Sequence, residues 1–198
     1  GGKRVEGFVL ELNTQVSTLE EVNARDLEPY QAVYLGNPYC SKHDGNLLAD
    51  HRALKEAVYR LKEMGKKVYV ATPAAPCTAE LDAVAKLVEA AARASADALE
   101  AHNLGVVRLA HRLYPELPVH TGCFANVYTD LGAARLKEYG VQRVTPNYEV
   151  SLEEIHLIRK AGGLEVEILL HGKIPLGLTN SCFLQNFPEH PCPQACRE

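Results

Sequence analysis

The sequence has no surplus of positive charge: 21 Lys and Arg face 25 Asp and Glu, a formal net charge of −4. Non-specific nucleic-acid binding, which leans on a basic face, finds no support in that balance. No apolar run approaches the roughly 20 residues of a membrane span, and the opening GGKRVEGFVLEL lacks the layout of a signal peptide. No glycine-rich phosphate loop follows the first apolar run, which weighs against a dinucleotide-binding fold. Neither H-E-x-x-H nor G-x-S-x-G occurs, so two common hydrolase signatures are missing. What the chain does have is 198 residues, 46% of them hydrophobic, enough for one domain with a substantial core, expected in the cytoplasm.

Strand and helix patterns alternate along it. Short apolar runs predict strands over 7–12 (GFVLEL), 32–35 (AVYL), 67–71 (KVYVA), 98–101 (ALEA), 118–121, 142–145 and 166–171 (VEILLH). Helical spacing predicts helices over 50–64, stopping at Gly65, over 79–94, and over 129–139, stopping at Gly140. Ser151 and Glu154 form the S-x-x-E pattern of a capping box ahead of a helix running to 160. Seven strands, each followed by a helix or turn, predict an α/β fold with a parallel sheet, either open and doubly wound or a TIM-barrel-like (β/α) repeat. Polar residues just past the strand ends, among them Asn13, Asn37, Thr72, His102, Asn103, Thr121 and Asn147, suit the C-terminal rim of a barrel. A barrel needs eight strands. The expectation is therefore an incomplete barrel, one domain over 1–198 with a cysteine-rich segment at 180–198, and a fragment of a longer chain.

Four cysteines carry the chemistry. Cys40 follows the second strand in VYLGNPYCSK, and Cys182, Cys192 and Cys196 crowd the end as C-x9-C-x3-C. Parallel strands put all their C-terminal loops on one face, so distance in sequence does not keep these residues apart. Thiolates are soft ligands suited to zinc, copper(I) or iron–sulfur clusters, and four complete one site. Structural zinc commonly takes close pairs on both sides and only one close pair exists here, so spacing alone modestly prefers a cluster over Zn. Unconnected reduced thiols and, less so, three disulfides are the plainer readings. Cys77 and Cys123 stand apart as bystanders, although Cys123 also has the position of a thiol nucleophile after the fifth strand.

Other polar residues are weaker candidates. Asn126 and His171 suit substrate binding at a barrel mouth, against a helix cap for Asn126 and a turn-holding role for His171. Ser41 or Ser181 with His43 or His171 would be a peptidase pairing. Glu11 and Asn13 close the first predicted strand, Lys42 and Arg197 flank cysteines, and Lys66–Lys67 reads as exposed charge.

The strings AVYLGNPYCSK, GKKVYVAT, HTGCFANVYTDLGAARLKEYGVQRVTPNYEVSLEEI, VEILLHGKIPLG and SCFLQN…CPQACRE resemble the collagenase-like peptidase family, the thirty-second of the unclassified peptidases. Within it, one cysteine after the second strand and three at the end look like the iron–sulfur accessory proteins of oxygen-independent ubiquinone biosynthesis. The resemblance implies a TIM-barrel-like fold and a [4Fe–4S] cluster on Cys40, Cys182, Cys192 and Cys196. It also implies a part in hydroxylation without oxygen, on a small molecule or RNA, in a hetero-complex with a related family member. A collagenase-like peptidase and a non-catalytic binding subunit with a structural metal site are the alternatives.

Overall fold

The computed structural model describes residues 10–40, 44–172, 174 and 178. Seven strands, β1 (Asn13–Val16), β2 (Ala32–Leu35), β3 (Lys67–Ala71), β4 (Ala98–Ala101), β5 (Val119–Thr121), β6 (Val141–Val144) and β7 (Glu165–Val166), alternate with six helices. These are α1 (Leu19–Ala24), α2 (His51–Glu63), α3 (Leu81–Arg93), α4 (Leu104–Leu113), α5 (Asp130–Glu138) and α6 (Leu152–Gly162). All strand pairs are parallel and the order in the sheet is that of the sequence. A doubly wound sheet reverses direction at a switch point, and this one does not.

The sheet is curled. β2 and β7 are five strand spacings apart, about 24 Å in a flat sheet at ~4.8 Å each. Yet Tyr34 on β2 and Glu167, one residue past β7, hydrogen bond at 2.8 Å. The result is the barrel-like arrangement expected from the sequence, incomplete at seven strands among the described residues.

The two faces of the sheet differ in chemistry. Val33, Leu35, Val68, Val70 and Leu99 point outward into the main core, where Leu54, Val58 and Leu61 of α2 and Val84, Leu87 and Val88 of α3 meet them. Ala32, Tyr34, Tyr69 and Ala98 point inward as a separate small cluster. Local signals support the helices. Asp50 accepts hydrogen bonds from the amides of Arg52 and Ala53 to start α2, and Gly65 ends its turn at φ +72°. The capping box of Ser151 and Glu154 opens α6 as its pattern predicts.

Two strand expectations need correction. Of the apolar run at 7–12, residues 7–9 lie outside the described residues and 10–12 are not strand; the first strand is the more polar Asn13–Val16, which pairs with Ala32–Leu35. The expected strand at 166–171 is only Glu165–Val166. The amide of Glu167 makes one further ladder bond, to the carbonyl of Val144, and the chain then leaves the sheet with Ile168, Leu169 and Leu170 exposed. Two helices, α1 and α4, stand beyond those expected from the sequence.

Candidate functional site

The loop after β2 is built to hold Cys40 still. Asn37 Oδ1 accepts from the amides of Tyr39 and Cys40, at 2.9 and 3.2 Å. Asn46, 3% exposed, closes the loop from the other side. Its Nδ2 donates to the carbonyls of Asn37 and Cys40, both at 3.1 Å, and its Oδ1 accepts from the Asn37 amide. The turn needs Gly36, whose φ is +97° and where a Cβ would meet Leu48 at 2.1 Å. The Pro38 carbonyl is tied to the Ala74 amide beyond β3. Cys40 is thus presented, half-buried and without a disulfide, from a backbone fixed on the C-terminal rim of the strands.

Beside it sits an aromatic and histidine cluster from β4 and β5. Tyr39 leaves 37% of its surface exposed but brings its hydroxyl 3.9 Å from Cys123 Sγ. Its ring lies 5.6 Å from those of both His102 and Phe124. The His102 side chain is wholly buried, with Nε2 3.5 Å from Glu100. Burial opposes a charge on this ring, but the Glu100 carboxylate and Cys123 outweigh it and push His102 up to about 9. The Phe124 amide, which donates to Nδ1 at 3.3 Å, requires that nitrogen to be unprotonated and so favours the neutral ring.

The inside of the curl is polar, and most of the residues that make it so carry no motif in the sequence. Arg143 on β6, 8% exposed, donates to Glu11 at 2.8 Å and to Glu165 at 2.6 and 2.8 Å, with Glu167 at 3.4 Å. Lys67 and Tyr69 on β3 each donate to Glu11 at 2.8 Å. Tyr34 on β2 donates to Glu167 at 2.8 Å and lies 3.0 Å from Nδ1 of His120 on β5. Burial works against the charge of Glu11, but the hydrogen bonds from Lys67, Arg143 and Tyr69 outweigh it and hold its carboxyl at about 2. Burial, then the Arg143 charge, pushes His120 down to about 3, so its ring is neutral at neutral pH. Burial and the Glu100 charge push Glu167 up.

These shifts make a pH prediction. The folded pKa of His120 lies below its unfolded value near 6.5, so the unfolded chain takes the proton first. The associated stability is full above about pH 6.5 and is lost as the pH falls toward 3. Between pH 4 and 6 the wild type should gain about 1.4 kcal/mol per pH unit relative to His120→Gln. Glu11 and Glu167 titrate in both proteins and cancel in the comparison. Urea unfolding of the pair at several pH values measures the difference, and parallel curves would contradict a neutral buried ring.

The expected site residues fall in different places. Cys182, Cys192, Cys196, Ser41, Lys42, His43, Ser181 and Arg197 lie outside the described residues. Cys77 is exposed and Cys123 buried. Asn126 is exposed in the left-handed region at φ 54°; the cap of α5 is Thr129, not Asn126. Asn103 caps α4 through the Gly105 amide. His171 is exposed and five residues beyond the end of β7, not at a strand terminus. Lys67 is less idle than its sequence suggests, since its ammonium is bound to Glu11. Among the described residues no three His, Cys, Asp or Glu side chains converge on one metal position.

A family model described as Peptidase family U32 matches residues 17–198. The tRNA hydroxylation protein P of Escherichia coli (strain K12) is 28% identical over 197 residues, which cover 96% of this chain and 44% of that protein. An uncharacterized protease of Methanocaldococcus jannaschii is 29% identical over 175 residues, 80% of this chain and 42% of that one. The chain spans less than half the length of these curated relatives. A solved U32 peptidase superposes with a TM-score of 0.66 at 14% identity, covering 85% of this chain and 71% of that one. A CutC protein from Streptococcus agalactiae superposes at 0.62 with 16% identity, over 80% and 87%. At such identities these two likenesses speak to the fold alone.

Proposed function

The chain belongs to peptidase family U32, and from that premise we propose that it takes part in the oxygen-independent hydroxylation of a base in tRNA, with an iron–sulfur cluster held by Cys40, Cys182, Cys192 and Cys196. The observation that carries this reading is the fixed presentation of Cys40 on the C-terminal rim of the strands, beside the Tyr39, His102 and Phe124 cluster. The relatives named for tRNA hydroxylation favour an RNA acceptor over the quinone precursor that the cysteine pattern alone suggests. A related family member is the partner this reading expects, and the cytoplasm the compartment. Among the described residues no helix is long and apolar enough to cross a membrane.

Cys40 fits its part in the donor set: a half-buried free thiol on a backbone pinned by two asparagines, needing little reorganisation to bind metal. When bound, a cluster with four thiolate ligands supplies electron transfer. The chain's own side chains then position the acceptor, the Tyr39 and Phe124 rings offering faces for a planar base and Glu100 an acceptor for its N–H groups. Peptidase chemistry fits less well. Cys123 and His102 are the nearest nucleophile and base, but the His102 side chain is sealed and its Nδ1 occupied by the Phe124 amide.

The test is anaerobic purification of the full-length protein with iron and sulfide counted. Wild type and Cys77→Ser should each carry about four of both, and Cys40→Ser should lose most of them. In parallel, tRNA from a host lacking the gene is analysed by mass spectrometry after complementation. Wild type should restore a nucleoside heavier by one oxygen atom, and Cys40→Ser should not. A colourless wild-type protein with stoichiometric zinc would refute the cluster.

A further inference from the structure

Tyr34 stands between two partners that compete for one proton. Its Oη is 2.8 Å from Glu167 Oε2 and 3.0 Å from His120 Nδ1. Burial, and then the Glu167 charge, holds the phenol protonated, and a phenol donates one hydrogen bond. If that bond goes to Glu167, then Nδ1 of His120 carries a hydrogen and donates to the phenol oxygen, leaving Nε2 a bare acceptor. If Glu167 carries a proton instead, it donates to Tyr34, Tyr34 donates to Nδ1, and the ring hydrogen sits on Nε2. The second arrangement holds one proton more than the first, and the histidine is neutral in both.

We infer that Glu167, Tyr34 and His120 form a proton relay that removes one proton from a neutral heterocyclic ligand in the barrel mouth. The transfers balance. The ligand proton passes to Nε2, the Nδ1 hydrogen passes to the phenol oxygen, and the phenol hydrogen passes to Glu167. Each group gives up what it receives except the carboxylate, which ends protonated. His120 is the group that touches the ligand; Tyr34 and Glu167 act through it. Its Nε2 makes no hydrogen bond among the described residues, and the residue keeps 6% of its surface exposed. The strongly depressed basicity of the ring fits a relay that never creates an imidazolium, and the raised affinity of Glu167 fits a terminal acceptor.

The surroundings choose the ligand class. Tyr34 and Tyr69 present rings 6.3 and 4.7 Å from that of His120, walls suited to a planar ring. Glu11, Glu100, Glu165 and Glu167 outnumber Arg143 and Lys67, and the guanidinium is already occupied by Glu11 and Glu165. An anionic ligand is repelled and a neutral one admitted. Identifying that ligand as an RNA base rests on the hydroxylation reading above; the relay itself accounts only for the removal of one proton from it.

Nitrogen NMR of 15N-histidine in the full-length protein reads the tautomer directly. At pH 8 wild-type His120 should be neutral with its hydrogen on Nδ1. In Glu167→Gln the side-chain amide donates to Tyr34, Tyr34 turns to Nδ1, and the hydrogen should move to Nε2. Tyr34→Phe should also lose the Nδ1 form. A wild-type hydrogen on Nε2 at pH 8, a cationic ring at pH 6, or an unchanged tautomer in Glu167→Gln overturns the relay. Activity supplies the second arm: Glu167→Gln should slow base hydroxylation roughly 10²- to 10⁴-fold, with part regained by Glu167→Asp. If wild type modifies no RNA while the tautomer switches as stated, the hydroxylation reading falls and the relay stands. If wild type is active and Glu167→Gln matches it, the relay falls alone.

Discussion

Replacing Arg143 by alanine should cost about 3–5 kcal/mol of stability, a large part of what an ordinary domain possesses. The reason is what stays behind. The Arg143 side chain is 10% exposed, and its partners Glu11 and Glu167 are 14% and 19% exposed. Removing the cation leaves Glu11 to Lys67 and Tyr69 and Glu167 to Tyr34, both carboxylates under-compensated in a poorly hydrated interior, where each retains a cost that the network did not have. Glu165 matters less, because at 65% exposed its charge is screened by water. Arg143→Lys should fall between, keeping a charge but losing the fork that reaches several carboxylates at once. Adding Glu11→Gln to Arg143→Ala should recover part of the loss, since one stranded charge is gone. Urea unfolding at pH 7 measures all four proteins. A loss under about 1 kcal/mol for Arg143→Ala would mean that the interior is far wetter than its burial indicates.

Gly122→Ala should be nearly as damaging, for a steric reason. The backbone there is ordinary at φ −79°, so the methyl group brings no torsional strain. It would sit 2.0 Å from Cε1 of His102 and 2.5 Å from both ring nitrogens. The ring cannot step aside freely, being wholly buried between Tyr39 and Phe124. Overpacking of this kind typically costs about 1–3 kcal/mol, and moving the ring also breaks its bond from the Phe124 amide. The Tyr39 contact passes the disturbance to Cys40. Gly122→Ala should therefore weaken iron retention as well as stability. The double variant with His102→Ala should be more stable than Gly122→Ala alone. If it is less stable, the clash is not the cause.

The fold was legible because each β/α unit writes its own pattern. Apolar runs at 32–35 and 67–71 and the stops at Gly65 and Gly140 survive into the structure within a residue or two. The ends of the sheet were less so. Asn13–Val16 is a short strand with a polar face, and the more apolar run just before it has the stronger strand pattern. At the other end, Ile168–Leu170 has strand composition, but composition does not say that the chain has left its neighbour. The polar interior was hidden for a related reason. Glu100, Arg143 and Glu167 alternate with apolar residues and look like the solvent face of half-exposed strands. In a parallel sheet covered by helices, a charge at every second position is itself the signal, because the opposite face of such a strand is a barrel interior rather than water. Tyr34 and Tyr69, in equivalent places in AVYL and KVYV, belonged to the same pattern.

The sequential strand order bears on how this molecule assembles. Neighbours in the sheet are neighbours in the chain, so each pairing closes a short loop and can form as synthesis proceeds. Several interior contacts break that rule, and the two that reach furthest, Arg143 to Glu11 and Tyr34 to Glu167, bridge 132 and 133 residues. They close only when nearly all the described chain is in place. The apolar layer under the helices can thus be complete while the charged interior is still open, and proton transfer along Tyr34 begins only with the final step of folding.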